Sequence, residues 1–178
     1  MASYKIGFVG AGKMASAIIK GLIKTGFAKP EELIATQAEK DLLEEKSKIL
    51  GIKVISDNKE LAQCAETVFI ATKPNQVADV LAEISPYINS EKLVVSIAAG
   101  VTTEKLETGL PSGTRVIRVM PNTPALVGEG MSGMVGGKNA NKEDLEYIKE
   151  LLSTIGKCIV VDNEAQIDIV TAISGSGP

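Results

Sequence analysis

Residues 5–25, KIGFVGAGKMASAIIKGLIKT, join a short apolar run to an amphipathic one through a glycine turn, and few folds accommodate that order. Ile6, Phe8 and Val9 make a strand-like stretch around Gly7. Gly10, Gly12 and Ala15 follow in the spacing G-x-G-x-x-A. Ala15, Ile18, Ile19 and Leu22 then recur at the three- and four-residue steps that share one helix face. A strand, a tight turn and a helix in this order describe a dinucleotide-binding corner. Gly10 permits the sharp turn, Gly12 lets the backbone come up against a pyrophosphate, and Ala15 keeps helix and strand close. The first turn of the helix offers unpaired N–H groups to the anion. A glycine-containing strand–helix turn that holds no ligand has the same spacing. The motif's place, between the chain's first strand and its first helix, favours the nucleotide site.

Downstream, strand and helix patterns alternate. Leu33–Ala35 is expected as a second strand. Residues 39–50 read as a helix with Glu44 four before Lys48 and an apolar stripe of Leu42, Leu43, Ile49 and Leu50, closed by Gly51. Residues 54–55, 68–71, 93–97 and 116–120 supply the third to sixth strands. Between them, Asp57–Glu60 turns into a brief helix, and Pro74 sets the entry of one carrying Val77, Val80, Leu81 and Ile84. Thr102 or Thr103 caps another that runs to about Leu110. These strands are continuously apolar, which favours a parallel sheet covered on both faces. Residues 131–135 and 158–161 read as two further strands around a helix from about Lys142 to Ile155, with Asn141 and Asp144 as its N-cap arrangement. A last helical pattern, 163–173, halts at Ser174-Gly175-Ser176-Gly177-Pro178, a turn that reads as a joint into another element. The expected fold class is α/β, a Rossmann-like doubly wound and mostly parallel sheet.

Composition narrows the chemistry. A net charge of −3 gives no reason to expect nucleic acid or an acidic membrane surface as partner. No apolar run approaches the roughly 20 residues of a membrane span, so a soluble, cytoplasmic chain is expected. With no histidine among 178 residues, a Ser–His or Cys–His relay and a His-based metal site are excluded within them. Cys64 and Cys158 occur without a C-x-x-C and read as small core residues, neither nucleophiles nor metal ligands.

In a doubly wound sheet, ligands lie outside the carboxyl ends of the strands, where strand order reverses. The residues there are Gly10 to Met14, Thr36-Gln37, Thr72-Lys73-Pro74, Ala98-Ala99-Gly100 and Pro121-Asn122. The end of the second strand separates NAD from NADP, since an acid there would hold the adenosine ribose hydroxyl. Here Thr36-Gln37-Ala38 stands in that place and the nearest acid is Glu39. A 2′-phosphate therefore meets no carboxylate at that spot, and Lys40 adds charge, although no arginine is present to grip it. NADP is modestly favoured. Lys73 invites a role as general acid or anion clamp, but a lysine before a proline at a strand end is more often solvated. Arg118, inside an apolar strand, needs a partner, and a structural ion pair is expected. Glu164 is placed to face a substrate nitrogen or, equally, to serve the helix dipole.

Several segments together resemble the pyrroline-5-carboxylate reductases, which reduce a cyclic imine acid to L-proline with NADPH or NADH. FVGAGKMASAI is similar to that family's opening motif and FIATKP to its fourth-strand end, while VVSIAAGVT and RVIRVMPNTPALVGEG are closer still. TAISGSGP resembles the start of the family's second domain. The resemblance implies that Gly10, Ala11, Gly12, Lys13 and Met14 form the pyrophosphate loop. It places Thr36, Gln37 and Ala38 at the adenosine ribose and its phosphate, and makes Asn58 a cofactor-binding asparagine. Ala71, Thr72, Lys73 and Pro74 fall beside the nicotinamide ribose, Ile97, Ala98 and Ala99 along the same groove, and Asn122 on a further cofactor contact. Glu164 aligns with a residue near the substrate.

The family's further implications are a cofactor domain over residues 1–162 and, at 163–178, the first helix of an all-helical dimerisation domain of about a hundred residues. The loop that grips the substrate carboxylate belongs to that domain, beyond Pro178. A homodimer or higher homo-oligomer acting on 1-pyrroline-5-carboxylate is expected, with no metal and no catalytic residue assigned. The cofactor supplies the hydride, and the protein supplies position and field. Two alternatives stand beside this one: a related dehydrogenase of the β-hydroxyacid or deazaflavin type, against which SIAAGV and MPNTP speak, and an NADP-binding module without turnover.

Overall fold

The computed structural model describes residues 3–175. Ser176, Gly177 and Pro178, on which the expected joint falls, lie outside the described residues. The chain opens with β1 (Tyr4–Val9) and α1 (Lys13–Thr25), followed by β2 (Leu33–Thr36), α2 (Leu43–Leu50), β3 (Lys53–Ile55) and α3 (Asn58–Cys64). Next come β4 (Ala65–Ile70), α4 (Val77–Ile84), β5 (Leu93–Ser96), α5 (Thr103–Thr108) and β6 (Arg115–Met120). The last part holds β7 (Gly130–Gly136), α6 (Lys142–Leu152), β8 (Gly156–Val160) and α7 (Glu164–Val170).

Among the described residues these strands form one sheet in the order β3-β2-β1-β4-β5-β6-β7-β8. The first six are parallel to their neighbours, β7 runs antiparallel to β6, and β8 is parallel to β7. Order reverses between β1 and β4, because the chain builds outward to β3 and then returns. Successive residues of the central strands serve opposite layers, as a pleated strand covered on both faces must. Phe8 and Phe69 enter the core beneath α1 and α6, their rings stacked 4.9 Å apart, while Val9, Val68 and Ile70 enter the core beneath α3 and α4.

α1 forms where its apolar spacing placed it. Ala15, Ile18, Ile19 and Leu22 are all buried. Each Ile or Leu so removed from water stabilises the fold by roughly 1.5–3 kcal/mol relative to exposure. The same spacing argument holds for α4, whose Val77, Val80, Leu81 and Ile84 are buried. Thr102 caps α5 by accepting from the Lys105 amide, Asn141 and Asp144 form the capping box of α6, and Gly51 ends α2 in the left-handed region.

The stripe expected on residues 39–50 is corrected. Residues 40–42 make a separate 3-10 turn, and Leu42 and Ile49 are 36% and 51% exposed. A helix that starts at Leu43 turns Leu43, Lys46, Ser47 and Leu50 inward by its 3.6-residue period, so Ile49 points away. Ser47 Oγ donates to the Ile52 carbonyl at 2.6 Å, which uses a polar group on the inner face of a helix at the sheet's edge. The Glu44–Lys48 pair spans 3.9 Å with both side chains over four-fifths exposed, and contributes little.

α7 lies against the sheet. Ile167 is fully buried and Val170 sits over Gly133 of β7. The helix and the turn after it leave Ile169 and Ile173 57% and 71% exposed, beside Ile159 of the edge strand β8. Among the described residues no helix is long and apolar enough to cross a membrane.

Candidate functional site

The reversal of strand order creates a crevice at the carboxyl ends of β1 and β4, and the glycine turn fills its floor. Gly10 has φ +100°, and a Cβ there would stand 2.9 Å from the Ala71 carbonyl oxygen, so the turn needs glycine. Its amide donates to Thr36 Oγ1 at 3.0 Å, which ties the turn to the end of β2. The Ala71 amide donates to the Val9 carbonyl at 2.9 Å and closes the other side. Gly12 is different. Its φ of −72° suits any residue, and a Cβ built on it meets nothing within 4 Å. The space over Gly12 faces the head of α1. That 13-residue helix has no side-chain cap and no acid in its first turn, and its first internal bond runs from the Ser16 amide to the Gly12 carbonyl. The amides ahead of it point into the crevice with the positive end of the helix dipole behind them.

A cleft of about 490 Å³ runs over this turn. Its lining brings together Gly10, Ala11, Gly12, Thr36, Gln37, Ala38, Asn58, Ala71, Thr72 and Lys73, ten of the residues singled out in the sequence. Thr72 Oγ1 is a buried hydroxyl with no hydrogen-bond partner among the described residues, which is the state expected of a group whose partner is a ligand. Together with the open space over Gly12, it fits these residues to a dinucleotide.

Other residues singled out lie outside that lining. Lys13 is exposed and Met14 half-buried on the first turn of α1. Pro74 belongs to the neighbouring groove between α4 and α5, which also holds Leu81 and Val101. Ile97 and Ala99 are accessible beyond β5, whereas Ala98 is buried. Asn122 is 7% exposed and engaged at both ends: Oδ1 accepts from the Met131 amide at 2.8 Å, and Nδ2 donates to Ser174 Oγ at 3.0 Å. Its side chain fastens β7 and the turn after α7 to the end of β6. Lys73 is exposed, and its backbone amide donates to Gln76 Oε1 at 3.3 Å.

Glu164 begins α7. Its carboxylate accepts from the Thr103 amide at 2.7 Å and from Arg118, whose other terminal nitrogen reaches Asp168 at 3.0 Å. The ion pair expected of Arg118 is therefore present. Burial works to raise the Glu164 carboxyl, but the Thr103 amide and hydroxyl and the Arg118 guanidinium outweigh it and hold the group below the ordinary carboxylate value. Burial raises both thiols, that of Cys158 to about 11, as suits small packing residues. Among the described residues, no three metal-ligating side chains cluster.

The cleft also has residues that sequence reasoning missed. Ser56, Gln76, Asp79, Val80 and Glu83 line it beside Glu39. Asp79 and Glu83 stand four apart on α4, the spacing of one helix face, and that face was legible as the polar side of the Val77–Leu81 stripe.

Comparison with known proteins agrees with this geometry. Residues 5–100 match the family described as NADP oxidoreductase coenzyme F420-dependent. A pyrroline-5-carboxylate reductase of Methanosarcina acetivorans is 44% identical over all 178 residues. The solved pyrroline-5-carboxylate reductase of Coxiella burnetii superposes with a TM-score of 0.91 at 34% identity over 99% of the chain. The Plasmodium falciparum pyrroline carboxylate reductase, solved with NADP bound, superposes at 0.87 with 36% identity over the whole chain. The chain spans 66% of the Methanosarcina protein and 65% and 64% of the two solved chains, just under two thirds of each. Matched over more than half its length, the chain belongs to the NADP oxidoreductase coenzyme F420-dependent family, and within it the chain resembles the pyrroline-5-carboxylate reductases from end to end.

Proposed function

We propose that this chain is the cofactor-holding part of an enzyme that reduces 1-pyrroline-5-carboxylate to L-proline with NADPH, NADH serving as well. One observation carries the reading: the glycine turn, the end of β2 and the Ala71–Lys73 loop converge on a single cleft at the point where strand order reverses. The names of the relatives supply the substrate.

In this reading Gly10, Ala11 and Gly12 and the amides of Lys13 and Met14 hold the pyrophosphate. Thr36, Gln37, Ala38 and Asn58 meet the adenosine ribose and its phosphate. Ala71, Thr72, Lys73 and Pro74 lie beside the nicotinamide ribose, with the Thr72 hydroxyl finding its missing partner there, and Ile97, Ala98, Ala99 and Asn122 continue the groove. When bound, the nicotinamide supplies a hydride to the imine carbon. A protonated imine is already electrophilic, so the chain brings no strong side-chain acid to it. Glu164, already accepting from Arg118 and the Thr103 amide, keeps acceptor capacity for a substrate nitrogen.

The finer organisation belongs to the same proposal. Residues 1–162 are the cofactor domain and residues 163–178 the start of a helical dimerisation domain, in a cytoplasmic homodimer or larger homo-oligomer that binds no nucleic acid. A second reading, a dinucleotide-binding module without turnover, is favoured by the share of its relatives that the chain spans, and it applies to the 178-residue polypeptide tested alone. The experiment mixes the purified chain with NADPH and 1-pyrroline-5-carboxylate, measuring dinucleotide affinity and proline formed. Binding that Gly12→Val abolishes, with slow proline formation, is expected. Absence of dinucleotide binding would overturn the cofactor assignment, and fast proline formation would overturn the module reading.

A further inference from the structure

At the β2 end of the cleft, two carboxamides are each tied to a carboxylate. Gln37 Nε2 donates to Glu39, and Asn58 Nδ2 donates to Glu83 Oε2 at 2.8 Å. All four residues line the cleft together with Asp79, and the cation lining it is Lys73. Lys40, next in sequence to Glu39, is exposed and outside the lining. Gln37 is itself anchored, its amide donating to the Ile55 carbonyl of β3 at 2.9 Å.

This arrangement has a chemical sense. A carboxylate only accepts hydrogen bonds, while a carboxamide with one N–H engaged keeps its carbonyl oxygen and a second N–H. The Thr36 hydroxyl, at the strand end proper, is already an acceptor for the Gly10 amide. The β2 end of the cleft nevertheless carries excess negative charge, Glu39, Asp79 and Glu83 against Lys73, beside two carboxamide carbonyls able to accept. A ribose with free 2′- and 3′-hydroxyls is a pair of donors and matches it. A ribose 2′-phosphate brings anionic acceptor oxygens and does not. Dinucleotide sites that choose the unphosphorylated ribose do so with an acid at the end of the second strand. Here the acid stands three residues past the strand, and the Gln37 side chain holds it at the cleft.

We propose that Glu39, held by Gln37, is the specificity-determining residue of this site: it accepts from the adenosine ribose 2′-hydroxyl and holds NADPH affinity down, so that NADH is taken beside NADPH. The proposal rests on the cleft being a nicotinamide-dinucleotide site. Gln37 acts in it as a positioning residue.

Calorimetric titration of the 178-residue chain with NADH and with NADPH, at one fixed ionic strength, tests it. Glu39 is exposed, so Glu39→Gln and Glu39→Arg leave the core untouched, and a thermal melt checks that both fold. Removing the charge should move the ratio of the two dissociation constants toward NADPH by about fivefold, and reversing it should move the ratio further. Gln37→Leu, which releases Glu39, should shift the ratio in the same direction by less. A ratio within twofold of the parent chain in both Glu39 variants overturns the proposal while leaving the cofactor site intact. A parent chain that binds neither dinucleotide overturns the site and the proposal together.

Discussion

Arg118, 2% exposed in the sixth strand, is bound to Glu164, the first residue of the last helix, across 46 residues of sequence. The strand end and that helix are thus locked by charge as well as by the buried Ile167. Losing one side of such a pair leaves the other charged and dry, which costs far more than the pair's net worth. Glu164→Ala should lower the unfolding free energy by about 2–3 kcal/mol, toward the low end for buried pairs because Asp168 still holds one nitrogen. Arg118→Met should cost less, since Glu164 and Asp168 are open enough to water to stay charged without it. Urea unfolding of the two variants checks the order, and the reverse order would refute the argument.

Acid should expose the same contact. The Glu164 carboxyl is depressed in the folded chain, so its share of stability is complete above the unfolded carboxylate value of 4.5 and is lost as pH falls through the folded one. Glu164→Gln should therefore flatten the fall in stability below about pH 4.5 and leave the slope near neutrality unchanged. Urea midpoints of parent and variant from pH 7 to pH 3 make the comparison.

The two glycines of the first turn should fail differently. Gly10→Ala forces a side chain into the left-handed region and toward the Ala71 carbonyl, a destabilisation of at least about 1–2 kcal/mol that also distorts the cleft. Gly12→Val meets open space, so its melting temperature should stay close to that of the parent while dinucleotide affinity falls by a factor of a hundred or more, about 3 kcal/mol. Thermal melts and titrations of both variants separate the two effects.

Thiol chemistry should be slow. Cys158 is 8% exposed with its pKa pushed up to about 11, so almost none of it is thiolate at pH 8. An aromatic disulfide reagent should modify Cys158 only on unfolding and should leave dinucleotide affinity unchanged. Rapid labelling of Cys158 in the native chain would contradict its burial.

The exposed row of Ile159, Ile169 and Ile173 should drive association in solution. Ile169→Glu with Ile173→Glu should lower any concentration-dependent mass seen by sedimentation while leaving the fold and the affinity for dinucleotide intact. A monomeric parent chain at high concentration would remove the basis for this expectation.

The parts of the fold set by local patterns could be read from the sequence. Ala15, Ile18, Ile19 and Leu22 share a face because a helix repeats every 3.6 residues, and the glycine spacing before them has few other uses. Residues 39–50 were misread because an apolar count does not fix a helix start. Once Leu43 opens the helix, Ser47 turns inward and Ile49 outward. The reversal of β7 depends on pairing with β6, and continuously apolar strands carry no mark of direction. Within the site, the strand-end residues were legible, but their partners were not. Gly10 with Thr36, Asn58 with Glu83 and Asn122 with Ser174 meet across 26, 25 and 52 residues. Only the assembled sheet and the helices on it bring them together.

The antiparallel course of β7 also decides which side of the molecule can carry an added group. After that reversal β8 runs away from the crevice, and the last helix brings the backbone back until Ser174 touches Asn122 at the tip of β6. A bulky group attached at Gly175 would therefore stand at the crevice rim and crowd whatever enters there. A label attached at the start of β1 would stand at the opposite rim, a strand's length away from the crevice.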